Sequence, residues 1–106
     1  MKKKQIVKQV IEALNPPKFS DLKFEDHPGI TSAQQSKIFF DNGYGASVIH
    51  GSILNFSDPQ RHELAVLKGN EEEWHLCYST PITSDVIPYC TSAEITQLLR
   101  EIKNLP

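Results

Sequence analysis

Two of the four histidines and one of the two cysteines could together hold a metal ion. Antiparallel pairing of two predicted strands, with Leu67 opposite Trp74, places His62, His75 and Cys77 on one face of a sheet. Imidazole and thiolate are ordinary zinc ligands, so this face could supply three of them. A lone His-x-Cys lacks the paired spacing of recognised zinc motifs. We therefore assign no metal ligand, and we interpret Cys77 as a core residue and both histidines as surface residues of the sheet.

Two residues could act as nucleophiles. Residues 45–49 resemble a nucleophile elbow only in part, because the second glycine is missing and Ser47 falls within a predicted strand. Cys90 precedes a helix N-terminus, which can stabilise a thiolate, and His27 or His50 could approach it in the fold. No local spacing establishes such an arrangement. We assign no catalytic residue and interpret Cys90 as a structural thiol.

Neither the glycine-rich nor the acidic segments indicate a cofactor. Residues 43–45 are too few for a phosphate-binding loop and do not open a helix. The glutamates at 71–73 lack the spacing of a calcium loop, which favours a solvated loop, and Asp85 fits an Asx-type turn. We therefore assign no cofactor and no cofactor-binding residue.

Composition and charge favour one ordinary globular domain over residues 1–106. Of 106 residues, 39% are hydrophobic and 23% are charged, and no apolar run is long enough to span a membrane. The net charge of -2 gives no general attraction to phosphate backbones. Nucleic-acid binding stays open only as an alternative that uses the four lysines within residues 2–8, without a recognised motif beside them. We expect no contact with a membrane.

Residues 1–14 have the pattern of an amphipathic helix, which Pro16 and Pro17 end at Asn15. Charged and polar residues interrupt its apolar positions, so it lacks the continuous apolar run of a secretion signal. The chain has two cysteines, which a reducing compartment would keep as thiols. These features predict a cytoplasmic protein.

Residues 38–49 predict a β-hairpin. The Asn-Gly pair at 42–43 suits a two-residue type I′ turn, which places Phe40 opposite Gly45 so that the ring shields the glycine. Side chains alternate between the two sides of such a sheet. One side then carries Phe39, Tyr44, Ala46 and Val48.

Two more strands and a final helix complete the predicted fold. The strands are residues 63–67 and 74–78, and residues 79–89 are extended without a regular ladder because of two prolines. Residues 18–36 form an irregular connector. A Thr-x-x-Glu capping box at 91–94 begins a helix with one apolar stripe. The stripe consists of Ile95, Leu98, Leu99, Ile102 and Leu105, and the side chains predicted to attach the connector to the core are Phe19, Leu22 and Phe24.

The resulting fold class is α+β: an N-terminal helix, a four-stranded antiparallel meander and a C-terminal helix. The economical packing puts both helices on one sheet face and leaves the other partly open. On that open face we expect Ile38, Phe40 and Ile49. Since a sizeable exposed apolar patch usually marks an interface, these three residues are the interface candidates.

Several segments together resemble a small family of uncharacterised proteins from bacteriophages and prophages. They are residues 40–49, 63–67, 76–78, 80–83 and 85–87. The Asn-Gly-Tyr-Gly hairpin and the Thr-Pro-Ile-Thr segment are the most specific parts, whereas Pro88 departs from the glycine of the family pattern. The resemblance implies a small accessory protein that binds a host or phage component, and it supplies no catalytic residues.

We therefore expect a non-enzymatic accessory protein of phage or prophage type that acts through protein–protein binding, with a protein partner or self-association into a homodimer. The alternatives are a small metal-dependent or thiol enzyme and a nucleic-acid-binding protein that uses the basic first helix. An enzyme would need a cleft in which polar groups converge. The groups to examine are His27, His50, His62, His75, Cys77, Cys90 and Asp85.

Overall fold

The computed structural model describes residues 16–51 and 60–106, so the helix predicted over residues 1–14 lies outside the described residues. The described chain forms one antiparallel sheet of six strands and one α-helix. A short 3-10 turn at Phe19–Asp21 precedes the first strand. The strands are β1 (Glu25–Asp26), β2 (Gln34–Phe39), β3 (Tyr44–His50), β4 (His62–Gly69), β5 (Trp74–Leu76) and β6 (Ile87–Cys90), and the helix is α1 (Ser92–Lys103).

The prediction of a four-stranded meander is wrong, because the sheet has two further strands. One lies in the predicted irregular connector, and the other begins in the segment predicted to be extended without a regular ladder. β1 to β5 follow one another in the sheet, and β6 pairs with β4 beside β5. β1 is only Glu25–Asp26. β6 contains Pro88, which it tolerates because its ladder with β4 is irregular and shifts register between His62 and Leu64. Neither segment alternates clearly enough to be read as a strand from sequence.

The β2–β3 hairpin has a three-residue loop, so the predicted two-residue turn is wrong. The Phe40 amide donates to the Tyr44 carbonyl at 2.8 Å, and the Gly43 amide donates to the Phe40 carbonyl at 3.3 Å. Gly43 has a φ of +86°, as expected for a three-residue loop that ends in a left-handed glycine. Phe39, not Phe40, therefore faces Gly45. This change of one residue exchanges the two faces of β2.

α1 covers one face of the sheet, which we call the covered face. Ala46 and Val48 of β3 and Leu64 and Val66 of β4 are fully buried in one core with the helix. The apolar stripe of α1 is confirmed, since Ile95, Leu99 and Ile102 are buried and Leu98 and Leu105 pack with them. The aromatic and aliphatic residues expected to attach the connector also contact this core, namely Phe19, Leu22 and Phe24.

Two of the three interface candidates lie on the covered face. Ile38 pairs with Ala46, and both Ile38 and Phe40 pack against the helix-side core. Their prediction as open-face residues is wrong because the extra loop residue shifts the register of β2. Ile49 pairs with Glu63 and lies on the opposite face, which we call the open face.

Both ends of α1 are capped by side chains. The predicted capping box is confirmed: the Glu94 amide donates to Thr91 Oγ1 at 3.1 Å, and the Thr91 amide donates to Glu94 Oε1 at 3.0 Å. At the other end, Asn42 of the β2–β3 loop reaches across from the sheet. Its Nδ2 group lies 2.8, 3.0 and 3.1 Å from the carbonyl oxygens of Ile102, Lys103 and Leu105.

Replacement of Asn42 is expected to destabilise the fold at this junction. Asn42→Ala leaves the carbonyls of Lys103 and Leu105 without this donor, whereas the Ile102 carbonyl keeps the Leu105 amide at 3.1 Å, and the loss costs about 2 kcal/mol in the free energy of unfolding. Asn42→Asp costs more, because a carboxylate then faces carbonyl oxygens at the negative end of the helix. Urea unfolding measures both losses. Gln97→Ala, which removes an exposed side-chain amide from α1, is the control, and an Asn42→Asp variant as stable as wild type would contradict the capping role.

Candidate binding groove on the open face

The open face carries a groove whose floor is built from small side chains. Ser47 of β3 and Ala65 of β4 are direct cross-strand partners, and Ile49 follows two residues after Ser47 on the same face. Ser47 and Ala65 are 4% and 7% exposed, so the floor lies close to the backbone of the sheet. Two small residues at paired positions leave a depression where larger residues would fill the surface.

Larger apolar side chains form the walls of this groove. Trp74 and Leu76 of β5 line it on one side, and Val86, just before β6, also lines it. Its volume is about 240 Å³. Trp74 and Leu76 are 37% and 47% exposed, which is unusual for such large apolar residues. The groove therefore offers apolar surface that is accessible from solvent.

Glu63 is the acidic residue among those that line the groove. The side chain is half-buried, and within residues 16–51 and 60–106 it has neither a hydrogen-bond donor nor an ion-pair partner. Burial, and next the negative charge of Asp85, raise the pKa of the Glu63 carboxyl above its ordinary value. Both causes disfavour the ionised form, so a cation brought to this carboxylate would be stabilised.

The other polar groups at the groove are already paired. Gln35 Nε2 donates a hydrogen bond of 2.8 Å to Ser47 Oγ. The Lys37 ammonium lies 4.8 Å from the centroid of the Trp74 ring, a cation–π contact that fixes one side of the indole. These contacts hold the floor and one wall in place.

A wider concavity of about 520 Å³ lies on the same face, next to β1. Its lining includes Lys23, Lys37, Glu25 and Glu71, so charges of both signs stand beside its apolar surface. Ligand sites are predominantly apolar with a few placed polar groups, and the smaller groove fits that description better.

His50 and His62 lie side by side on the covered face, at the other end of the core from the hairpin. Their ring centroids are 5.2 Å apart, and Phe19 and Phe24 pack edge-on against His62 and His50 at 4.7 and 5.0 Å. Within the described residues, the Nδ1 atom of each histidine is buried without a hydrogen-bond partner. Burial, and next the charge of His50, lower the pKa of His62. His62 therefore favours the neutral imidazole.

Acid is expected to destabilise the fold through His62. The unfolded chain takes up a proton near pH 6.5, whereas the folded chain resists protonation, so this stability is complete above that pH and is lost as the pH falls below it. Thermal unfolding should show a Tm that drops by several degrees between about pH 7.5 and 5.5. His62→Phe, which keeps an aromatic ring beside Phe19, should flatten this slope. His75→Phe is the exposed control, and an unchanged slope in His62→Phe would refute the assignment.

His62, His75 and Cys77 share one face of the sheet, as predicted, but they do not come together as metal ligands. Leu67 of β4 lies opposite Leu76 of β5 and not opposite Trp74 as predicted. Because the register differs by two residues, each side chain of β5 stays on its predicted face of the sheet. His62 begins β4 and is buried, so its interpretation as a surface residue is wrong, whereas His75 pairs with Lys68 near the other end of the strand and is exposed. The described part of the chain contains no group of three or more histidine, cysteine or acidic side chains that could hold a metal.

The two cysteines are buried thiols in different surroundings. Cys90 donates to the Ile87 carbonyl at 3.4 Å, and burial, then the charge of Glu94, raise its pKa to about 11. The helix N-terminus thus does not produce a reactive thiolate there. The backbone and then the hydroxyl of Ser79 lower the pKa of Cys77, whose Sγ lies 3.6 Å from Ser79 Oγ. Ser47 is a buried strand residue, as interpreted from the sequence.

Sequence reasoning missed the residues that make the groove. The sequence predicts Trp74, Ala65 and Glu63 only as strand residues. The available signal was the alternation of β4, in which Glu63, Ala65 and Leu67 share one face, combined with a small residue at Ser47. Using that signal required the correct register of β3 with β4.

No protein-family model, curated protein or solved structure matches this chain. The resemblance to phage and prophage proteins therefore stays a prediction. Across the described ranges, no helix is both long enough and apolar enough to cross a membrane.

Proposed function

We propose that this chain is a non-enzymatic binding protein of the cytoplasm that binds a partner protein through the open face of its sheet. The observation that supports the proposal is the groove between Trp74, Leu76 and Val86, an accessible apolar depression on the face opposite α1. A partner that inserts one apolar side chain there removes apolar area from water, which favours association.

The groove holds too few polar groups to favour an enzymatic role. The groove contains one carboxylate and one hydroxyl, and the Ser47 hydroxyl already accepts from Gln35. His50 and His62 lie on the covered face, and Cys77 and Cys90 lie in its core. A binding role uses the apolar walls directly, whereas an enzymatic role would need additional groups.

The proposal is tested by filling the groove. Ala65→Leu places a larger side chain on the floor, and Gln97→Leu adds the same side chain at an exposed position of α1 as a control. Each immobilised protein is exposed to extract of the native host, and the proteins retained are identified by mass spectrometry. A partner identified in this way is then purified and titrated against the emission of Trp74, the only tryptophan of the chain.

Support requires a protein that wild type and Gln97→Leu retain, that Ala65→Leu loses, and that changes Trp74 emission as a purified partner. The proposal fails if all three proteins retain the same material. It also fails if sedimentation shows a wild-type dimer that Ala65→Leu dissociates, because a second copy would then occupy the groove. Leu76→Gln removes apolar surface from an exposed wall position without filling the floor, and it should also lose the partner.

A further inference from the structure

We infer that the groove accepts the side chain of a lysine or arginine presented by the partner, with its methylene stem along the apolar walls and its cationic head at Glu63. This inference rests on the proposed function and names the chemistry of the partner at the same site. It combines two features of one groove, an apolar channel and a carboxylate that lacks a partner among the described residues.

The shape of the groove suits a long side chain with an apolar stem. The walls are the apolar side chains of Trp74, Leu76 and Val86, which methylene groups can contact without leaving a polar group unpaired. Ala65 provides a shallow floor. Lysine and arginine side chains bury such stems on apolar surface while the charged head contacts a polar group. The volume of about 240 Å³ accommodates one side chain of this size but not a folded segment.

The negative charge of Glu63 selects a basic head group over a neutral one. Glu63 and Asp85 are both acidic and sit close enough for the charge of Asp85 to disfavour ionisation of Glu63. Lys37 does not neutralise Glu63, because the two residues form no ion pair and the Lys37 ammonium lies over the Trp74 ring. A cation from the partner would offset both the burial of the carboxylate and its repulsion by Asp85.

Three capped heptapeptides test this inference against the full-length protein. They share the sequence Ser-Gly-Ala-X-Ala-Gly-Ser, where X is lysine, norleucine or glutamate. Norleucine has nearly the same stem without the charge. Millimolar titrations are followed by the indole resonance of Trp74 and the methyl resonance of Ala65, both of which report on the groove. We expect the lysine peptide to bind about fivefold more tightly than the norleucine peptide, and the glutamate peptide to be weakest.

Two charge-matched variants locate the preference. Glu63→Gln should abolish the lysine preference and leave norleucine binding unchanged, whereas Glu101→Gln, which removes the same charge from exposed α1, should retain it. The inference is overturned if norleucine binds as tightly as lysine, if Glu101→Gln removes the preference as fully as Glu63→Gln, or if no peptide shifts the groove resonances. None of these results alters the outcome of the groove-filling capture, which tests the proposed function by itself.

Discussion

Leu64→Ala is expected to lower the free energy of unfolding by about 3 kcal/mol. Leu64 lies in β4, which pairs with three other strands, and its side chain is fully buried under α1. The substitution removes buried methyl groups and leaves a cavity that rigid neighbours on both strands and helix fill poorly. Urea unfolding of the two proteins measures the difference.

Leu76→Ala provides the matched control for Leu64. It makes the same chemical change on the other face, where the side chain is 47% exposed, so the loss should stay within about 1 kcal/mol. Equal losses in the two variants would mean that α1 does not cover the face that includes Leu64.

Gly69→Ala is expected to cost at least about 3 kcal/mol, for a different reason. Gly69 ends β4 with a φ of +128°, which side-chain-bearing residues rarely adopt. A Cβ atom there would also collide with the Glu73 carbonyl oxygen and approach Trp74 Cα to 2.8 Å. Because these are backbone atoms, the β4–β5 connection itself must move. The variant should also shift the emission of Trp74, which lines the groove.

Gly43→Ala separates conformational strain from collision. Gly43 also has a positive φ of +86°, but a Cβ atom there meets nothing within 4 Å. We expect a loss of about 1 kcal/mol from the backbone alone. The explanation for Gly69 is incorrect if both alanine variants lose the same stability or if Trp74 emission is unchanged in Gly69→Ala.

The sequence predicts α1 well because the signals for this helix lie within the helix itself. The Thr91–Glu94 capping box and the apolar stripe lie within one segment, and both are confirmed. The contact of Phe24 with the core was also expected from its position in a polar connector. By contrast, β1 and β6 are stabilised by pairing with β2 and β4, so their own sequences carry little strand signal.

The candidate site was less predictable because it depends on register. One additional residue in the hairpin loop moved Ile38 and Phe40 from the open face to the covered face. Only Ile49 of the three interface candidates remained at the open face, where it lines the groove. The pairing of Ser47 with Ala65, which creates the floor, involves strands separated by residues 51–61. A turn rule cannot specify that pairing.

Assignment of the two faces of the sheet is most directly tested by nuclear Overhauser contacts between methyl groups. We predict contacts from Ala46 and Val48 to Ile95, Leu99 or Ile102 of α1, together with contacts from Ile49 to Val86 across the groove. Contacts from Ile49 to α1, with Val48 facing Val86 instead, would contradict the account, because the groove would then lie beneath the helix.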